Sequence, residues 1–199
     1  RDVERSRGLG DVYKRQVMYD PIAQVWSKFD GATGKVVNIS DAIGYPMFME
    51  SYDKPAPAPA YGIAGWTADG NNVFLYDAYD WWKTDLTGER QPECLTKGYG
   101  RKHGKSIRKM TSNIDKDVFQ KDEKVIVSLW DKDTMDEGVY QLDMKGRLRK
   151  LMEGNYVYTI HRFSDNHEYC VWNRQNVSEF RDLWWSKSDS VSYTHLRAH

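Results

Sequence analysis

The glycine-rich, basic stretch at residues 98–106 is the part of this sequence whose residue types come nearest to a chemical site. It ends in Gly-Lys-Ser at residues 104–106, the same three residues that end many phosphate-binding loops. Such a loop also needs a glycine five residues before Gly104 and a helix after the serine. Tyr99 stands at that position, and no helical pattern follows Ser106. We therefore predict no nucleotide site here, and no cofactor for the chain.

The basic side chains of this stretch, Arg101, Lys102 and His103, have two interpretations. They belong either to a flexible basic loop or to the wall of a substrate funnel. In the second case they would meet a carboxylate of the substrate, which cationic donors bind well. We keep the three residues as candidate substrate-binding residues.

Two other regions resemble metal sites but lack the necessary spacing. Residues 131–138 are rich in aspartate, yet a calcium loop needs glycine at its sixth position and glutamate at its twelfth. We expect a polar hairpin turn there. His161 and His167 flank a turn near Cys170, and we expect ordinary surface or strand residues. Cys94 and Cys170 are far apart in sequence and are predicted to be buried free thiols. No metal site is predicted.

No catalytic residue is predicted in this chain. A nucleophilic serine of a hydrolase usually sits in a Gly-x-Ser-x-Gly turn between a strand and a helix. The nearest match, at residues 104–108, lacks the second glycine and that context. A serine, histidine and aspartate triad cannot be assembled from the sequence.

The elements that must position any site are indicated by a repeat of an aromatic residue, an aspartate and a glycine. The aspartates are 55 and 58 residues apart, and no helical pattern separates the copies, which is typical of stacked small β-sheets. In each copy we expect the aspartate to accept backbone N–H groups within a turn and the glycine to supply positive φ. The copies are Trp26, Asp30 and Gly34; Trp82, Asp85 and Gly88; and Tyr140, Asp143 and Gly146.

A second pattern lies upstream of two of these hairpins: a strand that ends in an aromatic residue, a polar turn, and another strand. It is clear at residues 66–76 and 163–172, and weaker at 110–130. Together the two patterns give four strands per unit at the spacing of β-propeller blades. We therefore predict an all-β fold, a partial β-propeller of about three and a half four-stranded blades.

Both ends of the chain resemble translated sequencing-adapter read-through, as found at the ends of metagenomic gene fragments. We expect residues 1–16 and 191–199 to be non-native tails and residues 17–190 to be the partial propeller, an internal piece of a longer protein. An isolated arc of blades would expose two apolar faces, so we expect it to be sticky in solution. The predicted blade remnants are approximately 17–54, 55–100, 101–153 and 154–190.

Charge and hydropathy argue against a nucleic-acid partner and against a membrane span in this segment. The chain has 29 basic and 29 acidic residues, and without the two tails 23 basic and 26 acidic residues remain. This balance does not favour nucleic acid as a partner. The longest apolar stretch, at about residues 125–130, is much shorter than a membrane span.

The sequence closely resembles the propeller domain of prolyl oligopeptidase family serine peptidases, above all the large exported members from Bacteroidetes-type bacteria. The resemblance covers about residues 17–190. It is strongest over residues 61–102, which include the Gly-Trp-Thr-Ala-Asp-Gly run at 65–70 and the Asp-Ala-Tyr-Asp-Trp-Trp-Lys-Thr-Asp run at 77–85. Residues 180–186 are similar to a strand of a late blade in that family.

The resemblance implies a gating function for this chain. In that family an α/β-hydrolase domain follows the propeller and carries the catalytic residues, while the propeller restricts access to peptides. The implied partners are the chain's own hydrolase domain, which is missing here, and a peptide substrate. The implied location is exported or periplasmic. The chain has no matching pair of glutamates for recognising a substrate N-terminus, so a dipeptidyl mode is not supported.

Two alternatives remain open at this point. One is a stand-alone binding or scaffold propeller of the TolB type, in which the same repeats would occur. The other is a propeller of a carbohydrate-active enzyme, in which exposed tryptophans would stack on sugars. The repeat-equivalent placement of the aromatic residues favours core packing over sugar stacking.

Overall fold

A computed structural model describes residues 15–31, 33–110, 116–166, 168–188 and 193–196. These residues form sixteen strands, one four-residue α-helix and a short 3₁₀ turn at Asp41–Ile43. The strands lie in four successive sheets. The described chain is therefore all-β, a partial β-propeller, as the sequence predicts.

The sheets follow one another along the chain, and we number them first to fourth. The first contains β1 (Arg15–Asp20), β2 (Val25–Asp30) and β3 (Val36–Asn38). The second contains β4 (Ile63–Thr67), β5 (Asn72–Tyr76), β6 (Trp81–Asp85), β7 (Glu93–Cys94) and, out of sequence, β9 (Val118–Phe119). The helix α1 (Tyr99–Lys102) connects β7 to the next sheet.

The third and fourth sheets each have four strands among the described residues. The third contains β8 (Lys105–Lys109), β10 (Lys124–Asp131), β11 (Glu137–Asp143) and β12 (Leu148–Gly154). The fourth contains β13 (Val157–Phe163), β14 (Tyr169–Gln175), β15 (Asp182–Lys187) and β16 (Tyr193–Leu196). Consecutive strands pair antiparallel within these sheets, which is the up-and-down arrangement of a propeller blade.

The strand β9 departs from this regular order. It leaves the third sheet between β8 and β10 and pairs in parallel with β4 of the second sheet. The amide of Trp66 donates to the carbonyl of Asp117 at 2.6 Å, and the amide of Ala68 donates to the carbonyl of Phe119 at 2.9 Å. A Cβ at position 65 would lie 2.5 Å from the Phe119 ring, so this approach requires Gly65. The two central sheets are thereby joined through their backbones.

The turn in each copy of the aromatic-aspartate-glycine repeat has the predicted hydrogen bonds. Asp30 accepts the Thr33 amide at 3.2 Å, Asp85 accepts the Glu89 amide at 3.3 Å, and Asp143 accepts the Lys145 and Arg147 amides at 3.0 and 2.9 Å. The following glycines, Gly34, Gly88 and Gly146, have φ of 71°, 73° and 80°.

Two of these glycines have a further role that local sequence does not reveal. A Cβ at Gly88 would lie 2.6 Å from Val37 Cγ1, on the last strand of the first sheet. A Cβ at Gly146 would overlap the carbonyl oxygen of Leu95, which follows the last regular strand of the second sheet. At Gly34 no described atom would lie within 4 Å of it. The turns at Gly88 and Gly146 thus pack on the outer edge of the preceding sheet.

Three apolar cores fill the spaces between neighbouring sheets. The first–second core includes Trp26, Val73, Leu75 and Leu86. The second–third core includes Phe74, Tyr76, Trp81, Ile107, Val127, Leu129, Tyr140 and Leu142. The third–fourth core includes Val139, Leu151, Tyr158, Ile160, Cys170 and Trp172. The fold is stabilised between sheets, and a single sheet has no core of its own.

The aromatic residues in the three copies of the aromatic-aspartate-glycine repeat do not all lie on the same face of their sheets. Trp26 faces the following sheet, whereas Trp82 and Tyr140 contact the core on the preceding side. The residue that matches Trp26 in both spacing and direction is Trp81, four residues before Asp85. The difference arises because neighbouring strand residues point to opposite faces, so a one-residue offset exchanges the two cores.

The structure corrects the expected course of residues 98–115. A flexible loop over 98–106 is wrong for most of that stretch, because residues 99–102 are helical and Lys105 and Ser106 begin β8. The first strand of the third sheet is therefore Lys105–Lys109 and not the weaker pattern that begins at residue 110. Residues 111–115 of that pattern lie outside the described residues.

At the chain ends, β1 begins at Arg15 and β16 spans Tyr193–Leu196, so both strands include residues of the predicted tails. The tail and blade boundaries stay predictions. Among the described residues, none of the helices is long and apolar enough to cross a membrane.

Candidate binding recess

The antiparallel order brings two connections of the second sheet to the same end. The loop between β5 and β6 and the connection from β7 to β8 both lie there. Ile107 donates its amide to the Tyr79 carbonyl at 2.8 Å, and Arg101 donates its amide to Asp80 Oδ2 at 3.0 Å. The charged and polar residues in this region are therefore held by hydrogen bonds to the sheet and do not lie on a free loop.

Asp77 is the buried centre of this end. Its side chain is fully enclosed, and its Oδ1 accepts the amides of Tyr79 and Asp80 at 2.7 and 2.6 Å. Its Oδ2 accepts the Trp82 indole N–H at 3.1 Å and Arg101 Nη2 at 2.8 Å. A buried carboxylate needs such a complete set of donors, because an unpaired buried charge is costly.

Asp80, also buried, holds the helix α1 against the sheet. Its Oδ1 accepts the Thr96 hydroxyl at 2.6 Å and the Gly100 amide at 2.9 Å. A Cβ at Gly100 would lie 2.6 Å from the Tyr79 carbonyl oxygen, so only glycine permits this approach. The position of Arg101 is consequently fixed from its backbone as well as from its side chain.

The Arg101 guanidinium lies between a carboxylate and an aromatic ring. It forms the ion pair with Asp77 and lies 3.8 Å from the centroid of the Tyr45 ring. Partial burial opposes its charge, but the hydrogen bond and charge of Asp77 hold the pKa of Arg101 above its ordinary value. About 32% of its side chain stays exposed, and the Tyr79 ring lies 5.1 Å from the guanidinium carbon.

A recess of about 380 Å³ lies between this end of the second sheet and the connection that carries Tyr45. The rings of Tyr45 and Trp82, with centroids 5.9 Å apart, form its aromatic wall. Lys102 is exposed at its edge. The lining residues are Tyr45, Asp80, Trp82, Cys94, Gly98, Arg101 and Lys102.

The structure brings together two of the three basic residues selected from the sequence. Arg101 and Lys102 line the recess, whereas His103 is absent from its lining and packs on the Tyr99 ring at 4.3 Å. Tyr45 was not selected, because it comes from the long connection before β4 and no local pattern marks it. The aspartates at 77 and 80 could have been noticed as two carboxylates between aromatic residues in a short loop.

A second cavity, of about 480 Å³, lies between the third and fourth sheets at the opposite end. Two of its lysines are paired with carboxylates, Lys109 with Asp117 at 2.9 Å and Lys116 with Glu123 at 3.2 Å. It is larger, but among its described lining residues none is a buried, hydrogen-bonded carboxylate like Asp80 of the recess. We therefore take the recess as the candidate site.

The other sequence candidates have structural positions. In the turn between β10 and β11, Asp131 accepts the amides of Asp133 and Thr134 at 2.9 and 3.1 Å. Within the described ranges no group of three or more metal-ligating side chains occurs, and His167 lies outside them. Cys170 is buried and Cys94 half-buried, both free; burial raises the pKa of each thiol.

No protein-family model matches the sequence, and no curated protein matches it. Solved structures with a related overall shape include TolB from Acinetobacter baumannii, with 11% identity and a TM-score of 0.43 over 92% of this chain and 40% of that one. Another is the β-propeller domain of the Trilobed protease from Pyrococcus furiosus, with 11% identity and a TM-score of 0.46 over 92% of this chain and 48% of that one. This chain thus spans less than half the length of either. At this identity and TM-score, neither similarity bears on function.

Proposed function

We propose that this chain is the peptide-binding, substrate-gating part of a β-propeller in a prolyl oligopeptidase-like serine peptidase. One observation carries the proposal: the stretch that most resembles that family also forms most of the recess. The stretch with the strongest resemblance to that family, residues 61–102, supplies every lining residue of the recess except Tyr45. The part of the chain that looks most like a peptidase propeller is therefore also the part that builds a binding surface.

The recess suits an extended peptide. Its aromatic wall, Tyr45 and Trp82, can pack against a proline ring or another apolar side chain. The free end of Lys102 can meet a carboxylate, either a side chain or a C-terminus. Asp77 pairs with Arg101, and Asp80 is a second buried carboxylate of the recess, so Lys102 is the exposed cation that would meet an anionic ligand.

Catalysis in this proposal belongs to the α/β-hydrolase domain of the parent protein. There a serine would attack the scissile carbonyl, a histidine would take its proton, and an oxyanion hole would stabilise the intermediate. The propeller chain would hold the peptide and limit the size of what reaches that domain. In keeping with the family, we place the parent among exported or periplasmic proteins.

A stand-alone binding propeller of the TolB type is the second candidate. The recess favours it as much as it favours the first, because all of its lining residues belong to this chain and none depends on a hydrolase domain. The two candidates share the bound peptide and differ in what happens to it.

Binding is tested with the full chain and unstructured peptides of 8–12 residues that contain proline, followed by calorimetry. Each peptide is used with a free and with an amidated C-terminus. We expect Lys102→Ala to weaken binding of the free-acid peptides about three- to tenfold and to leave the amidated ones unchanged. Lys121→Ala, an exposed lysine at the opposite end of the sheets, is the matched control. Failure of every peptide to bind would overturn the proposal.

Gating is tested separately, by sequencing the source gene outward from residues 61–102. A downstream Gly-x-Ser-x-Gly followed by aspartate and histidine would support the peptidase. A stop codon soon after further blades would favour the binding propeller. We also expect the purified chain to hydrolyse no peptide, and serine-reagent-sensitive hydrolysis would contradict the division of labour.

A further inference from the structure

The cavity of about 480 Å³ lies within the junction between the third and fourth sheets, and both of those sheets belong to this chain. At the end of this junction that is nearer the recess, Val139, Leu151 and Trp172 form a buried core. At the cavity end, Ile126 and Phe163 from the two facing sheets are only half-buried. The junction is therefore closed at one end and open at the other.

The path of the chain before β10 supplies a further wall of the cavity. The last hydrogen bond between β8 and β10 runs from the Met110 amide to the Ile126 carbonyl at 3.0 Å. Between these strands the chain forms β9 on the second sheet, and Phe119 of β9 lines the cavity. Met110, Phe119, Ile126 and Phe163 together give the cavity an apolar surface of the kind that holds the apolar part of a small ligand.

Four lysines line the cavity, and two of them are already paired with carboxylates. Of the other two, Lys124 begins β10 in the third sheet and Lys187 ends β15 in the fourth. Both are exposed, and neither forms an ion pair with a described residue. An anion in the cavity would therefore be attracted from both sheets.

The two glutamates that line the cavity have partners of their own. Glu123 pairs with Lys116, and its Oε2 accepts the Gln120 amide at 2.9 Å. Glu168 Oε2 accepts the Asn166 side-chain amide at 2.8 Å. These contacts leave Lys124 and Lys187 as the cations that are available to a ligand.

Two neutral polar groups of the cavity also lack a partner among the described residues. The Ser188 hydroxyl is enclosed and makes no hydrogen bond. The side-chain amide of Gln141, a half-buried residue of β11, makes none to a described residue. A polar group that is shielded from water without a partner is costly, and a ligand oxygen would satisfy it.

From this combination we infer that the cavity binds a small carboxylate with an apolar body. The apolar side chains contact the body, Lys124 and Lys187 bind the carboxylate from the two sheets, and the Gln141 amide donates to one of its oxygens. A free acid and the C-terminal residue of a peptide share this chemistry. The inference is independent of the peptide recess, which lies at the opposite end of the sheets.

The test titrates the full chain with 4-phenylbutyrate and with its neutral amide, followed by ligand-observed NMR. We expect a dissociation constant of about 0.1–1 mM for the acid, which is ordinary for a ligand of about twelve heavy atoms. The amide should bind at least about tenfold more weakly, because it carries no charge for the two lysines. Equal binding of the acid and the amide would overturn the inference, as would the absence of binding at 10 mM acid.

Substitutions assign the binding to this cavity. Lys124→Gln and Lys187→Gln should each weaken binding of the acid about three- to tenfold and leave the amide unchanged. Lys121→Gln is the matched control, because Lys121 is an exposed lysine on the turn before β10 that does not line the cavity. If Lys121→Gln weakened binding as much, or if neither cavity lysine mattered, the inference would be wrong. Gln141→Leu is a further variant that removes the amide donor with little change in size, and it should also weaken the acid.

A last arm identifies the source of the carboxylate. A ten-residue peptide ending in phenylalanine is titrated into the Lys102→Ala chain, so that the exposed cation of the recess does not contribute. Competition between this peptide and 4-phenylbutyrate would support a peptide C-terminus as the ligand. Binding of the acid without the peptide would support a small free acid. Because the recess and the cavity are tested with different lysines, failure at one leaves the result at the other unchanged.

Discussion

The second and fourth sheets follow similar sequence patterns but differ in what covers them. The second has a neighbour on each side and two buried carboxylates that hold its connection to the third. The fourth has a described neighbour on one side, and a two-residue connection joins it to the preceding sheet. The same positions are core in one sheet and surface in the other. A residue's burial in this repeat is therefore set by the next sheet and not by its own strand.

The strongest test of this difference replaces one tryptophan in each sheet, Trp81 in the second and Trp185 in the fourth. Trp81→Ala should lower the free energy of unfolding by about 3–5 kcal/mol, because it empties the core between the second and third sheets. It also removes the indole donor to the Ile107 carbonyl. Trp185→Ala, compared at concentrations where the chain is monomeric, should cost less than about 1.5 kcal/mol. Urea unfolding of both variants measures the difference, and equal losses would refute the comparison.

The second prediction concerns the buried carboxylates that the second sheet uses at its connection. Asp80→Ala should cost about 2–4 kcal/mol, because the Thr96 hydroxyl and the amides of Gly100 and Arg101 lose their acceptor. Urea unfolding gives the loss. Hydrogen exchange should show faster exchange at the amides of Gly100 and Arg101, while the amides of β14 stay protected.

A matching control is available in the exposed aspartate Asp131, which accepts two amides in a turn between strands. Asp131→Ala should cost much less than Asp80→Ala, because the amides it leaves can bond to water. If Asp80→Ala cost no more than Asp131→Ala, the connection would not depend on its buried carboxylate.

The third prediction compares the glycines of two aspartate-glycine turns, one that packs on a preceding sheet and one that has no described neighbour. Gly34 and Gly146 both have positive φ, so alanine at either site costs about 1 kcal/mol from backbone strain. At Gly146 the new Cβ must also displace the Leu95 carbonyl, and at Gly34 it meets open space among the described residues. We expect Gly146→Ala to cost at least about 1 kcal/mol more than Gly34→Ala in thermal or urea unfolding. Equal costs would mean that only φ selects these glycines.

The sequence predicted the features that depend on short stretches. The aspartate-glycine turns, the apolar strand Lys124–Asp131 and the four-strand units all arise from residues within a hairpin of each other. The fold class followed because the period of the repeat leaves few other architectures.

The features that the sequence did not predict depend on contacts between distant segments. Tyr45 reaches Arg101 from another sheet's connection, and β9 adds to β4 across more than fifty residues. Arg101 and Lys102 were selected as basic residues in a loop, but their arrangement depends on Asp77 and Asp80, which no local pattern connects to them. The division of Trp81 and Trp82 between two cores required the register of the strands.

The smallest expected effect is a pH dependence of stability, caused by an ion pair between the two edge strands of the third sheet. The Lys105 ammonium donates to Glu153 at 2.5 Å, joining β8 to the outer strand β12. That hydrogen bond lowers the pKa of Glu153 from its ordinary 4.5 to about 2. Because the folded pKa lies below the unfolded one, the pair's contribution is present above about pH 4.5 and is lost as the pH falls towards 2.

We expect Glu153→Gln to lower the stability at pH 7 by about 1 kcal/mol, since both side chains are partly exposed to water. The difference between this variant and the unchanged chain should shrink between pH 4.5 and 2, measured by urea unfolding at each pH. Glu168→Gln, on the turn between β13 and β14 in the fourth sheet, provides the comparison. A Glu153→Gln loss that persisted unchanged down to pH 2 would mean that the glutamate stabilises the sheet through packing and not through its charge. The ion pair between Lys105 and Glu153 would then contribute nothing to holding β8 and β12 together.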